Sequence, residues 1–172
     1  MIHYIYMDML SMIQYLPYGM MVGIPIIAIL MYVVCKMGKC ENMKPAAMLP
    51  VVFFGFYFAM MIVITFLSRE SGSRNGMDLK LFSTWGINTR NNAYVVENVL
   101  LFIPYGFFGS LAFGRLRHFF ASLALGTATS LGIECMQLAT GRGFFQTDDI
   151  WTNVLGTIIG FWMFRLIFRK KV

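Results

Sequence analysis

Five long apolar stretches, separated by polar segments, constrain this chain more than any other feature of its sequence. They cover about Ile13–Val34, Met48–Leu67, Asn98–Phe113, Phe119–Leu138 and Ile150–Phe168. A helix needs about 17–25 mostly apolar residues to cross a bilayer, and the third stretch reaches that length with part of Tyr94–Glu97. Every backbone polar group inside a bilayer needs a partner within the protein, so each stretch is predicted to be a helix.

The low charge content supports the same reading. Only 13% of the residues are charged and 58% are hydrophobic, whereas about 25% are charged in an ordinary soluble domain. We therefore predict an all-α, polytopic membrane protein with about five transmembrane helices and a single membrane domain over residues 1–172. The net charge of +6 would suggest a nucleic-acid partner in a soluble protein. Here the basic residues cluster at the ends of apolar segments, as membrane topology requires, so no nucleic acid is expected.

The distribution of basic residues predicts the orientation of the helices. One side carries nine of them, namely Lys36, Lys39, Lys44, Arg115, Arg117, Arg165, Arg169, Lys170 and Lys171. The other side carries five, namely Arg69, Arg74, Lys80, Arg90 and Arg142. Because the more basic side usually faces the cytoplasm, we expect the N-terminus outside and the C-terminus in the cytoplasm. A polar loop over about 68–93 would then lie outside.

The three cysteines offer no metal-binding pattern. Cys35, Cys40 and Cys135 make an odd count, and the first two lack metal-ligand spacing with any nearby histidine. We expect all three to be reduced and structural.

Polar residues follow one face of each of the last three helices. These faces hold Asn98, Phe102, Tyr105 and Gly109, then Thr127, Ser130, Glu134 and Gln137, then Asp149, Asn153, Gly156 and Gly160. Spacings of three and four residues align side chains on a helix. In the predicted orientation the polar ends of all three faces meet at one level of the outer leaflet. Gly156 and Gly160 form a pair that lets a neighbouring backbone approach closely, and Pro104 should kink the third helix.

Glu134 is the most informative of these residues. It lies about one turn inside the apolar boundary, where a carboxylate is costly unless it is paired. Arg142 and Arg90 are its natural partners, either in a structural ion pair or in a ligand site. The amides of Asn98, Gln137 and Asn153 can join helices or bind a ligand. Asp148 or Asp149 can also favour the start of the fifth helix, whose N-terminus attracts negative charge.

At this point the sequence resembles the VanZ-like family of small bacterial membrane proteins. The resemblance rests on "NVLLFIPYGFF" and "IECMQLATGRGFFQTDDIWTNVLGTIIG" and covers about 90–168. The matching positions are Asn98, Phe102, Pro104, Gly106, Glu134, Gln137, Arg142, Asp149, Asn153, Gly156 and Gly160. The resemblance implies a multi-pass protein of the bacterial plasma membrane that is linked to resistance to teicoplanin-type glycopeptides. It does not imply a biochemical activity.

The chemistry of the residues must therefore supply the mechanism. We expect a ligand site at the outer leaflet, formed by Arg90, Asn98, Glu134, Gln137, Arg142, Asp148, Asp149 and Asn153, with Pro104, Gly106, Gly156 and Gly160 in structural roles. Arginine suits phosphate or carboxylate. The acidic residues suit an amine or a hard cation such as Mg²⁺ or Ca²⁺, although no cofactor or metal is required. The expected partners are membrane lipids, a lipid-linked cell-wall precursor or a lipoglycopeptide.

Three functions remain open on the sequence alone. The first is a non-enzymatic envelope protein that binds a lipid-linked precursor, an envelope lipid or the drug. The second is a membrane enzyme that modifies or hydrolyses a lipid-linked precursor, with Glu134 and Asp149 as the best catalytic candidates because an acidic pair can transfer protons. The third is a small transporter with Glu134 as proton carrier, which fits less well because Glu134 lies close to one face of the membrane.

Overall fold

The computed structural model describes residues 1–36, 45–67, 69–72 and 76–168. Within these ranges the chain forms six α-helices: α1 (Ile2–Met12), α2 (Leu16–Val34), α3 (Pro45–Ile62), α4 (Thr89–Ala112), α5 (Phe119–Ala139) and α6 (Thr147–Ile167). A 3-10 turn at Ile13–Tyr15 joins α1 to α2, and a π-helical turn at Val63–Leu67 extends α3. A further 3-10 turn, Gly114–Arg117, connects α4 to α5.

Five helical spans are long and apolar enough to cross a membrane, as predicted: Ile2–Val34, Met48–Phe66, Thr89–Ala112, Phe119–Ala139 and Thr147–Ile167. The first begins eleven residues earlier than the apolar pattern indicates, because α1 and α2 form one nearly continuous rod. α4 also begins well before the apolar stretch, since the side chain of Asn88 accepts a hydrogen bond from Asn91 N and caps the helix at its polar end.

Glycines bring α4 and α6 into backbone contact, and these two helices form the most extensive helix pair. A methyl group added at Gly156 would overlap the carbonyl oxygen of Val99, and one at Gly160 would overlap that of Ile103. Gly106 on α4 meets the backbone of Thr157 in the same way. Small residues at these positions therefore allow the close approach predicted from the sequence.

The polar faces of α4, α5 and α6 turn inward, as expected. Phe102, Ser130, Glu134, Gln137 and Asn153 are all buried. α5 packs on α6, and α3 packs on the other side of α4. Phe54 and Met61 of α3 form the apolar core with Phe102 and Tyr105 of α4. This apolar core packs next to the polar end of the bundle.

Pro104 lies inside α4 without ending the helix. Proline has no backbone N–H, so the carbonyl of Leu100 loses its helical partner. At the neighbouring position, the Tyr57 hydroxyl of α3 donates a hydrogen bond to the Leu101 carbonyl. A side chain from the adjacent helix thus stabilises the backbone next to the proline.

A two-stranded parallel sheet joins the loop before α4 to the loop before α6. Its strands are β1 (Met77–Asp78) and β2 (Phe145–Gln146), with Met77 opposite Phe145. Phe145 N also donates to the carbonyl of Gly76 at 3.0 Å. This small sheet fixes both loops over the ends of α5 and α6, at the end of the bundle where the polar side chains gather.

The structure describes only some of the basic residues that were used to predict the orientation. Lys39, Lys44, Arg74, Arg169, Lys170 and Lys171 lie outside the described residues. Arg117 lies over the ring of Phe164, 5.8 Å from its centre, so the α4–α5 turn and the C-terminal part of α6 share one end of the bundle. The inside–outside direction stays a prediction.

The expectation for the cysteines was wrong in part. Cys135 is free and exposed, whereas Cys35 is disulfide-bonded. An odd count from sequence does not tell which thiols lie close enough to pair.

Candidate functional site

The turn after α5 determines where Arg142 lies. Gly141 has a positive φ of 62°; its N–H donates to the Leu138 carbonyl, and Arg142 N donates to the Gln137 carbonyl at 2.9 Å. This pair of bonds is the Schellman arrangement, in which glycine after a helix reverses the chain. The sequence Thr-Gly-Arg following α5 thus directs Arg142 back toward the end of α3.

Arg142 is held firmly at that position. Its Nη1 donates to the carbonyls of Arg69 at 2.8 Å and Phe66 at 3.1 Å. The guanidinium also lies over the Phe66 ring, 4.8 Å from its centre, in the geometry of a cation–π contact. The predicted pairing of Arg142 with Glu134 was therefore wrong. The guanidinium instead hydrogen-bonds backbone carbonyls within and just after the π-helical turn.

Arg69 is the site residue that the sequence analysis missed. It follows the π-helical turn of α3, and it acts electrostatically on both Glu134 and Asp149. A methyl group at Gly143 would come within 2.8 Å of Arg69 Nη1 and 3.0 Å of Gln137 Oε1, so a larger residue here would displace the Arg69 side chain. The one sequence signal is a basic residue directly after an apolar stretch, which does not distinguish Arg69 from an ordinary helix flank.

Glu134 and Asp149 lie near each other at this end of the bundle. Glu134 is only 2% exposed and its Oε2 accepts a hydrogen bond from Gln146 N at 2.8 Å. The two carboxyl groups interact electrostatically, and the side chain of Asn98 lies close enough to Asp149 to act on its carboxyl group. Three helices therefore contribute one polar side chain each, as their predicted faces require.

A polar cavity of about 640 Å³ opens beside these groups. Its lining includes Arg69, Glu70, Asp78, Glu97, Asn98, Arg142, Gln146 and Asp149, together with apolar side chains such as Met12, Ile64 and Leu101. Of the predicted site residues, Asn98, Arg142 and Asp149 line this cavity. Glu134 lies behind Gln146 and is not part of the wall.

Gln137 and Asn153 join helices rather than line the cavity. Gln137 Nε2 donates to the Thr65 carbonyl at 2.7 Å, which links α5 to the π-helical turn. Asn153 Nδ2 donates to Ser130 Oγ at 2.9 Å, which links α6 to α5. The side-chain oxygens of the two amides, Gln137 Oε1 and Asn153 Oδ1, are buried without a hydrogen-bond partner in the described part of the chain. Both residues position the helices that carry the site.

Asp148 holds the loop before α4. Its carboxylate accepts hydrogen bonds from Phe82 N at 2.6 Å and Thr84 N at 2.7 Å, and it is 3% exposed. Phe82 has a positive φ of 61°, which is rare for a residue with a side chain. The side chain of Asp148 therefore stabilises a tight turn in a distant loop instead of capping α6, where the helix has no side-chain cap.

Arg90 lies at the side of the cavity region, against α1. Its Nη1 forms an ion pair with Asp8 at 2.8 Å. The guanidinium also lies over the rings of Tyr4 and Tyr94, at 5.1 Å and 4.5 Å from their centres. Arg90 is thus the residue that attaches α1 to α4. The apolar pattern alone could not show this, since it begins only at Ile13.

The described residues do not form a group of side chains that could coordinate a metal ion. Within residues 1–36, 45–67, 69–72 and 76–168, no three His, Cys, Asp or Glu side chains converge on one point. The cavity instead brings together two guanidinium groups, several amides and hydroxyls, and the carboxyl groups of Glu70, Asp78, Glu97 and Asp149. Such a wall can bind an anionic group through arginine and a hydroxyl or amine through carboxylate and amide oxygens.

Comparison with known proteins gives one match. A family model described as VanZ/LLP1 matches residues 53–169. This range includes the C-terminal part of α3 and the loop before α4 as well as the part that carries the sequence resemblance, and so contains Arg69. No curated protein and no solved structure matched the chain.

Proposed function

The chain belongs to the VanZ/LLP1 family, and we propose that it is an envelope protein that binds the phosphate-bearing headgroup of a lipid in its polar cavity. The ligand class we favour is a lipid-linked cell-wall precursor in the outer leaflet of a bacterial plasma membrane. In this proposal the cavity end of the bundle faces outward, in agreement with the asymmetry of basic residues.

Two arginines at one cavity carry this proposal. Arg69 and Arg142 come from segments more than 70 positions apart in the chain and both line the wall. Among the described residues neither forms an ion pair with a carboxylate. A guanidinium presents parallel donors that match two phosphate oxygens. The carbonyls that hold Arg142 reduce the entropy lost when it binds.

The rest of the wall suits the remainder of such a ligand. Asp149 can accept hydrogen bonds from hydroxyl groups next to the phosphate, and Asn98 can donate to them or accept from them. Ile64 and Leu101 give the cavity an apolar part, which suits the first carbons of a lipid tail. A ligand with a charged head, a polar middle and an apolar tail thus matches all three kinds of surface.

Binding to a pair of lipids tests the proposal. A polyprenyl phosphate and the corresponding polyprenol share one tail and differ in the phosphate. We expect the purified protein to bind the phosphate form more tightly, and Arg69→Gln or Arg142→Gln to weaken that binding about tenfold or more, as for loss of a charge-assisted hydrogen bond. Lys80→Gln removes the same charge from an exposed loop residue outside the cavity wall and should have little effect. Equal binding of both lipids would contradict the proposal.

We propose a link to teicoplanin-type resistance, which the resemblance to the VanZ-like family implies and which can be tested in cells. At matched membrane expression, Arg142→Gln should remove protection against a teicoplanin-type drug and Lys80→Gln should retain it. If Arg142→Gln protects fully while its lipid affinity is reduced, headgroup binding and resistance are separate properties.

A hydrolytic enzyme is the second candidate, favoured by the position of Asp149. Its carboxyl group lines the cavity, close to Arg69 and in electrostatic contact with Glu134. A carboxylate beside a bound phosphate can act as a general base for water. Release of inorganic phosphate from a polyprenyl diphosphate by the wild-type protein, and its loss in Asp149→Asn, would favour the enzyme over a binding protein.

A further inference from the structure

A second cavity of about 580 Å³ lies at the opposite end of the bundle from the polar cavity. It is bounded by α2, α3, α4 and α5 and by the turn that follows α4, and its mouth includes Phe113, Gly114 and Arg115. Most of its wall consists of aliphatic and aromatic side chains. No carboxylate contributes to the wall among the described residues.

In this second cavity, called the groove from here on, the polar side-chain groups of the wall form a hydrogen bond with each other. The Tyr105 hydroxyl and Thr129 Oγ1 are 2.7 Å apart and form a hydrogen bond. An occupant at that depth therefore needs no polar atom, and water gains few partners there. The walls include lipid-accessible side chains such as Ile29, 62% exposed, and Leu125, 37% exposed, so a chain can enter from the bilayer.

The length of the groove matches one leaflet. On α5 the wall reaches Thr129, ten residues after the first residue of the helix at Phe119, which is about 15 Å at 1.5 Å per residue. The hydrocarbon core of a bilayer is about 30 Å thick. The groove thus runs from the boundary of the membrane to about its middle, as one lipid acyl chain does.

The mouth of the groove is positively charged. Arg115 is exposed and lines the mouth, and Lys36 is exposed just beyond Val34, another wall residue. A guanidinium pairs well with a phosphate group, and two cations favour a headgroup with net negative charge over a zwitterionic one. An apolar groove of one-leaflet depth with cations at its mouth has the shape and charge of a phospholipid site.

We propose that this groove binds one acyl chain of an anionic phospholipid whose phosphate pairs with Arg115. The site is separate from the polar cavity and uses the leaflet at the basic end of the bundle. Its occupant would fill the space between α2 and α5, which have no extensive direct contact, and would add to the contact that α2 already makes with α3.

Native mass spectrometry of the purified protein tests this proposal with two probes, phosphatidylglycerol and phosphatidylcholine of equal chain length. We expect wild type to retain one phosphatidylglycerol more strongly than phosphatidylcholine. Arg115→Gln should weaken retention of phosphatidylglycerol roughly fivefold, the effect of one basic residue at an anionic lipid surface. Arg165→Gln is the control, since Arg165 lies on α6 at the same end of the bundle but outside the groove.

A second pair of variants tests the groove itself. Leu125→Trp should fill it and remove the retained lipid, whereas Leu155→Trp, at a position of nearly equal exposure on α6, should leave it bound. Equal retention by the two tryptophan variants would overturn the groove as the site. Equal retention of the two lipids, unchanged by Arg115→Gln, would overturn the anionic headgroup.

Discussion

Asp148 and Asp149 are adjacent in the chain and serve different parts of the molecule. Asp148 is 3% exposed and accepts the backbone N–H groups of Phe82 and Thr84. Asp149 points into the polar cavity and interacts with Asn98. Since successive residues on a helix point about 100° apart, one carboxylate can anchor a loop while the next one faces a ligand.

Replacing each with asparagine should separate these roles. Asp148→Asn places an NH₂ group opposite a backbone N–H and should destabilise the protein by about 1–3 kcal/mol, with faster proteolysis of the loop before α4. Asp149→Asn should change the melting temperature little and should not weaken binding of a polyprenyl phosphate, because it removes a like charge. Loss of that binding in Asp149→Asn would contradict this expectation and would mean that the Asp149 carboxylate contributes to binding of the lipid.

The sequence identified most of the polar residues at this end but misjudged their partners. Glu134 stands out because it is a carboxylate inside an apolar stretch, and the structure indeed buries it. Its arginine partner could not be read from spacing, because the glycine-dependent turn at Gly141 sends Arg142 to the carbonyls of Phe66 and Arg69. The role of Arg69 depends on how the end of α3 packs against α5. A local sequence pattern cannot predict this packing.

At the level of helices, the contact between α4 and α6 leaves the least room for a larger side chain. Gly156 and Gly160 lie directly against backbone carbonyls of α4. Packing in a membrane gains from close backbone approach rather than from excluding water. This contact also sets the distance between Asn98 and Asp149, and so the width of the polar cavity depends on it.

A pair of glycine-to-alanine variants tests this contact. Gly160→Ala should force the helices apart and lower the free energy of unfolding by about 1–3 kcal/mol. Gly132→Ala adds the same methyl group on α5, where nothing lies within 4 Å, and should be neutral or stabilising by up to about 1 kcal/mol. Thermal melting in detergent measures both. Equal melting temperatures would mean that the α4–α6 contact tolerates a larger separation.

The apolar stretches predicted the number of membrane-spanning helices correctly, but they did not predict where the helices begin. α4 begins at Thr89 because Asn88 caps it, and α1, which begins at Ile2, is attached to α4 by the ion pair of Asp8 with Arg90. Neither signal is apolar, so hydropathy places both starts too late. The inward-facing glycines of α6, by contrast, were visible from their spacing of four residues.

At the scale of the whole molecule, the first span is longer than a bilayer requires. Its 33 residues would cover about 50 Å if straight, against a hydrocarbon core of about 30 Å. Asp8 on α1 pairs with Arg90 near the start of α4, so the excess length lies at the end of the bundle that carries the polar cavity. Met12 forms part of the cavity wall.

The orientation of the molecule determines which leaflet supplies the ligand. With native cysteines replaced, single cysteines at Lys80 and Arg115, both exposed, would report the two ends. An impermeant thiol reagent should label position 80 and not position 115 in intact cells, as the excess of basic residues near Arg115 predicts. The reverse labelling would place the polar cavity in the cytoplasm and remove its access to outer-leaflet precursors.

In the proposed function, Arg69 and Arg142 together bind the phosphate of a lipid headgroup. A structure determined in lipid nanodiscs with a polyprenyl phosphate tests it most directly. We expect one phosphate in the polar cavity, within salt-bridge distance of both guanidinium groups, with the lipid tail leaving past Ile64 and Leu101. A cavity without phosphate at saturating ligand, or a phosphate bound elsewhere on the protein, would contradict it.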